Sequence, residues 1–111
     1  MSASWGDYDH DGWMDLYVSN MWSAAGIRVS SQPGFLKHAN AATRAGFQRF
    51  ARGNSLLHNT GASGFRDVSF SAGVTMGGWA WSSNFVDINN DSWEDLVVAN
   101  GFITQEDTGD L

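Results

Sequence analysis

The stretch DYDHDGWMDL, residues 7–16, sets carboxylates at Asp7, Asp9, Asp11 and Asp15 around a single glycine, Gly12. Close carboxylates repel by about 1 to 4 kcal/mol per pair, depending on how wet the site is. Crowding of this kind calls for a positive charge that the stretch itself does not carry.

The motif returns 80 residues later. SWGDYDHDGWMDLYVSN at 4–20 aligns without gaps on NFVDINNDSWEDLVVAN at 84–100. Asp7, Asp11, Trp13, Asp15, Leu16, Val18 and Asn20 meet identical residues in Asp87, Asp91, Trp93, Asp95, Leu96, Val98 and Asn100. Trp5 becomes Phe85, Tyr8 becomes Ile88, and Asp9 becomes Asn89, which still offers an oxygen. Such in-register identity marks a repeated unit, not two chance acidic runs. Each copy reads as strand, acidic loop, strand: an apolar lead-in (Trp5; Trp79, Trp81 and Phe85 on one parity), then the loop, then a β-rich exit at Leu16–Ser19 or Leu96–Ala99.

Between the copies, NSLLHNTGASGFRDVSF reads as a hairpin, with strands at Ser55–His58 and Phe65–Val68 around a glycine-rich turn. Four short strands in series are the content of one propeller blade. Residues 22–53 interrupt the pattern. There FLKHANAATRAGFQRFARG has Asn40 as an N-cap, Phe47 and Phe50 three apart and Gly53 at the C-cap, which predicts a helix inserted at 41–52. Its Arg44, Arg49 and Arg52 read either as solvated charges or as partners for an anionic ligand or for the chain's own acids.

Composition narrows the function. The chain has 111 residues, 42% of them hydrophobic and 14% aromatic, enough for a small core. Its net charge of −6 argues against a general nucleic-acid binder, which needs a basic footprint. Seven aspartates lie in the two loops, and two divalent cations would bring −6 to −2. Without cysteine there is neither a disulfide framework nor a thiolate metal site. No apolar run is long enough for a membrane span, and the first residues lack the pattern of a signal peptide.

The loop spacing suits calcium, which takes six to eight oxygens and accepts them from alternating positions of a tight turn. In the first loop these are Asp7, Asp9, Asp11, the Trp13 carbonyl and Asp15. In the second they are Asp87, Asn89, Asp91, the Trp93 carbonyl and Asp95. Where an EF-hand needs a Glu at position 12, the first loop has Val18 in a strand-like run, so it is calcium-type without being an EF-hand. The second loop has one charge fewer, and Ser92 replaces Gly12, a cost of about 1 to 2 kcal/mol if left-handed, so weaker binding is expected there. Magnesium suits the loops less, since it keeps its waters. Zinc lacks nitrogen or sulfur ligands, because His10, His38 and His58 share no ligand spacing. A glycosidase-like carboxylate pair needs two acids across a cleft, whereas these converge on one point. Trp13 and Trp93 hold equal repeat positions and read as packing residues more than as sugar platforms.

DYDHDGWMDLYVSN and DINNDSWEDLVVAN resemble the calcium loops of FG-GAP or VCBS repeats, the blades of integrin α-subunit-like β-propellers. NSLLHNTGASGFRDVSFSAGV and GGWAWSSNFVDINNDSWEDLVVANGFIT are also similar to the ASPIC/UnbV, cartilage-acidic-protein-like group. The resemblance implies an all-β fold: a β-propeller fragment of about one and a half four-stranded antiparallel blades. The first blade would span 1–68, with its calcium loop at 7–15 and the helical insertion at 22–53. A partial second blade would span 69–111, with its loop at 87–95. It further implies two structural calcium ions held by Asp7, Asp9, Asp11, Asp15, Asp87, Asn89, Asp91 and Asp95, and neighbouring blades as partners. The parent protein is expected to be exported, extracellular, periplasmic or at the cell surface, and to serve in adhesion or in protein or glycan recognition without catalysis. The alternative is a scaffold segment of a secreted hydrolase or lyase.

Overall fold

The computed structural model describes residues 1–20 and 24–101. The chain is mostly β. A four-stranded antiparallel sheet runs in chain order through β1 (Ser2–Gly6), β2 (Asp15–Ser19), β3 (Ser55–Asn59) and β4 (Phe65–Asp67), and a two-stranded sheet pairs β5 (Ala80–Val86) with β6 (Asp95–Asn100). The hairpin between β3 and β4 closes through a short 3-10 turn at Gly61–Ser63, and β4 ends one residue earlier than its sequence suggests.

The 80-residue repeat is carried into the hydrogen-bond register. Ser2↔Ser19, Ala3↔Val18, Ser4↔Tyr17, Trp5↔Leu16 and Gly6↔Asp15 recur as Ser82↔Ala99, Ser83↔Val98, Asn84↔Val97, Phe85↔Leu96 and Val86↔Asp95. Yet equivalent residues face different surroundings. On one face, Ser4, Gly6 and Tyr17 are buried while their counterparts Asn84, Val86 and Val97 are exposed. On the other face Phe85 is buried while its counterpart Trp5 is 53% exposed. The two sheets therefore stack front to back: the Ser4–Tyr17 face of the first receives the Phe85 face of the second.

That interface is built on small residues. The hydroxyls of Ser2 and Ser4 lie 2.9 and 3.1 Å from that of Ser83. Gly6 leaves the space that the Phe85 ring fills, since a Cβ there would lie 2.5 Å from Phe85 Cγ. Tyr17, Leu56 and Phe85 form the core, with Tyr8, Val68, Val74, Leu96 and Val98 packed around them. Tyr17 meets Phe85 edge to face at 6.4 Å and donates its hydroxyl to the Val74 carbonyl at 3.0 Å.

Three local expectations are corrected. Trp81 and Phe85 do not share a face, because the β5–β6 register slips between Ala80 and Ser82; the slip buries Ala80 and leaves Trp81 exposed. The insertion holds two helices, not one: α1 (Ala24–Ser30) precedes α2 (Ala41–Phe50). Residue 21, residues 22 and 23 of the insertion, and residues 102–111 of the second unit lie outside the described residues. Helix α2 begins as expected, with the Asn40 side chain accepting from the Thr43 N–H, but it ends before residue 52. Ala51, right-handed at φ −66°, closes it, and Gly53 serves a close approach: a Cβ there would collide with the Thr75 carbonyl.

The insertion is anchored through Arg49, whose partner is Asp67 and not an acid of either loop. Its Nε and Nη2 donate to the Asp67 carboxylate at 2.6 and 3.2 Å, and Nη2 also reaches Ser69 Oγ. The Arg49 hydrogen bond, helped by Ser69, lowers the Asp67 pKa from the ordinary 3.8 to about 2. A lowered carboxylate stabilises the fold above its unfolded pKa, and that contribution disappears as pH falls through the folded one. The melting temperature of the wild-type chain should therefore exceed that of Asp67→Asn at pH 6, with the gap closing between about pH 4 and pH 2. Parallel melting curves across that range check it; a gap independent of pH would contradict it.

Candidate metal-binding loops

Both acidic loops are shaped by their own aspartates. Asp7 Oδ1 and Oδ2 accept the N–H groups of Asp11 and Gly12 at 3.0 and 2.9 Å, and Asp11 Oδ1 accepts the Trp13 N–H at 2.8 Å. In the second loop Asp87 accepts from Asp91 and Ser92 at 3.0 and 2.8 Å, and Asp91 Oδ1 accepts from Trp93 at 2.8 Å. The backbones match as well. His10 and Gly12 have φ of 58° and 88°, and Asn90 and Ser92, 80 residues on, have 61° and 72°. Ser92 thus adopts the left-handed conformation that its glycine counterpart reaches without strain.

These hydrogen bonds leave capacity for a cation. An ionised carboxylate has about four lone-pair positions, and the N–H contacts use only some of them. Asp7, Asp9 and Asp11 each place a ligand atom so that all three lie within 4.8 Å of one another. The second loop meets its charge differently: Asn89 Nδ2 donates to Asp91 Oδ2 at 3.0 Å, an internal donor that Asp9 cannot supply. The carboxylate crowding of the first loop is therefore less relieved from within.

The last acid of each loop opens the exit strand, and here the copies diverge. Asp95 accepts the Ile88 N–H at 3.1 Å within its own loop. Asp15 is fully buried, and its Oδ1 accepts the Asn59 N–H at 2.7 Å and faces His58 Nδ1 at 3.1 Å. The cause is topological, since β3 pairs along β2 with Leu16 opposite Leu57 and so carries His58 and Asn59 to the loop. Asp15 joins Asp9 and His58 in a second group of potential ligands. Sequence spacing missed His58 because its approach depends on strand register 43 residues away. The signal that could have found it is the hairpin itself, whose first strand must pair with the exit strand of the loop.

Aromatic rings frame the loops. Trp13 lies over Gly61 at the hairpin turn, where a Cβ would stand 3.4 Å from its ring, and Trp93 stacks on His10 with centroids 4.2 Å apart. Trp93 thus ties the second loop to the first. Tyr8 meets the His58 ring edge to face at 6.1 Å. Its hydroxyl pKa is raised by burial and then by the charges of Asp9 and Asp15, with Arg66 opposing, which marks the negative field of the site. Among the described residues no helix is long and apolar enough to cross a membrane. Comparison with family models, with curated proteins and with solved structures returns no match for this chain.

Proposed function

We propose that this chain is a calcium-binding segment of a β-propeller of the FG-GAP/VCBS type, belonging to a larger exported protein in which it serves adhesion or protein or glycan recognition. The ions are structural, and no catalytic role is assigned. Asp7, Asp9, Asp11 and Asp15, with the Trp13 carbonyl, would hold one ion; Asp87, Asn89, Asp91 and Asp95, with the Trp93 carbonyl, would hold the other. Bound calcium would offset two of the four aspartate charges of the first loop and two of the three of the second, and fix the junction between the two strands of each.

The observation that supports this reading is the way one unit succeeds the other. The same loop geometry and the same strand register recur after 80 residues, and the sheets stack front to back. A two-fold packing closes on itself, whereas a front-to-back one leaves a free face at each end for another copy. Trp5 on one outer face, and Val86 and Val97 on the other, are the exposed surfaces that adjacent blades would cover. The four-stranded meander in chain order is the unit from which propellers are built.

Extracellular modules bind calcium at about 0.1 to 1 mM. At 10 mM calcium one such site adds about 1.4 to 2.7 kcal/mol to stability, a rise of about 5 to 15 °C in Tm for a chain of this size. Melting of the chain in calcium and in chelator tests this, with Asp7→Asn expected to remove more of the rise than Asp87→Asn. An equal Tm in both solutions would end the proposal.

A further inference from the structure

The group formed by Asp9, Asp15 and His58 differs in chemistry from the oxygen-only loops. One ligand atom from each lies within 4.8 Å of the others. His58 Nδ1 stands 3.1 Å from Asp15 Oδ1 and 3.5 Å from Asp9 Oδ2. Two donors held about 2.0 to 2.2 Å from a tetrahedral zinc ion are about 3.3 to 3.6 Å apart; the Asp9 separation falls in that range, and the Asp15 separation, a hydrogen bond at 3.1 Å, lies just below it.

A separate observation points to a missing partner. Asp15 is fully buried, and while its Oδ1 takes the Asn59 N–H, its Oδ2 is buried without any hydrogen-bond donor. A buried carboxylate oxygen left bare is costly. The bare atom belongs to the carboxylate whose other oxygen already contacts His58 Nδ1 at 3.1 Å. An imidazole nitrogen with two carboxylates is a donor set for a borderline first-row ion, whereas calcium takes oxygens.

We infer that His58, Asp15 and Asp9 form a mixed nitrogen–oxygen site for a divalent transition ion of the zinc class, built where β3 meets the first acidic loop. Among the described residues the site belongs to the first copy alone. Asp95 and Asn89 hold the equivalent loop positions, but among the described residues no third strand pairs with β6 to bring in a nitrogen. This inference is independent of the calcium reading apart from the shared ligands Asp9 and Asp15, and the ion it places would compete with calcium for them.

The test is a calorimetric titration of Zn²⁺ into the chelator-stripped 111-residue chain. One Zn²⁺ per chain is expected, weakened at least tenfold in His58→Gln and unchanged in Asp87→Asn. Long-range ¹H–¹⁵N correlation spectra of the unmutated chain give a readout that no folding defect can mimic: Zn²⁺ should shift the ring nitrogens of His58. An absence of Zn²⁺ heat, equal affinity in His58→Gln, or a His58 ring unmoved by Zn²⁺ would overturn the site. Calcium heat lost in Asp87→Asn reports on the second loop separately. Calcium binding without zinc binding thus rejects this inference alone, and zinc binding without calcium binding rejects only the calcium reading.

Discussion

Gly6→Val should destabilise the chain by about 3 kcal/mol, toward the upper end of the cost of overfilling a packed interior. The substitution puts into the first copy the residue that the second copy carries at the same place, Val86, which is 43% exposed. The backbone environment accepts valine there, and the sheet register is the same. What differs is the second sheet standing against Gly6, where a Cβ would lie 2.5 Å from both Phe85 Cγ and Glu94 Oε2. The Glu94 side chain can swing away; the Phe85 ring, 9% exposed in the core, cannot without parting the sheets. Val86→Gly is the control, expected to cost about 1 kcal/mol or less through strand propensity alone. Denaturant melts of both variants decide it, and equal effects would show that the front-to-back packing is not what holds the units together.

Tyr17→Ala should cost about 4 kcal/mol, within the range for deleting a buried aromatic ring. Tyr17 is fully buried, touches Phe85 edge to face and reaches across to the Val74 carbonyl, so it joins the first sheet, the second sheet and the segment that links them. Tyr17→Phe separates the parts: it keeps the ring and gives up only the hydroxyl, at about 1 to 2 kcal/mol for the carbonyl left without its donor. Because a domain of this size is stable by only about 5 to 15 kcal/mol, Tyr17→Ala should leave a measurable unfolded fraction in mild urea where Tyr17→Phe does not. Similar urea midpoints for the two variants would contradict the central place given to the ring.

The second copy explains why Tyr17 stands out only in three dimensions. Its counterpart Val97 is an ordinary exposed strand residue, and nothing in the local text of either copy says which will be covered. The turns of the loops were legible because the hydrogen bonds that shape them are local. Asp7 and Asp11 bond to backbone groups two to five residues away, and the spacing of the acids encodes that geometry. The strand pairs flanking each loop were legible for the same reason.

Features set by distant segments were not legible. The parity of Trp81 and Phe85 reads as one face until the slip near Ala80 is known. The short helix α1 contains Gly26, Ile27 and Val29, poor helix formers, and it leans on α2, where Gln48 donates to the Ser30 carbonyl at 3.0 Å. Arg49 could be read as a solvated charge until β4 brings Asp67 beneath it. His58 has no ligand spacing along the chain and gains its carboxylate neighbours only when β3 pairs with β2.

The central claim is that each acidic loop closes on a hard divalent cation. Its most direct measurement is a calorimetric titration of calcium into the chelated chain and into Asp7→Asn and Asp87→Asn. Two ions per chain are expected, the second weaker because Asn89 replaces Asp9 and its loop carries one negative charge fewer, with each variant losing one ion. An unmutated chain that gives no calcium heat, or variants that keep both ions, would contradict it.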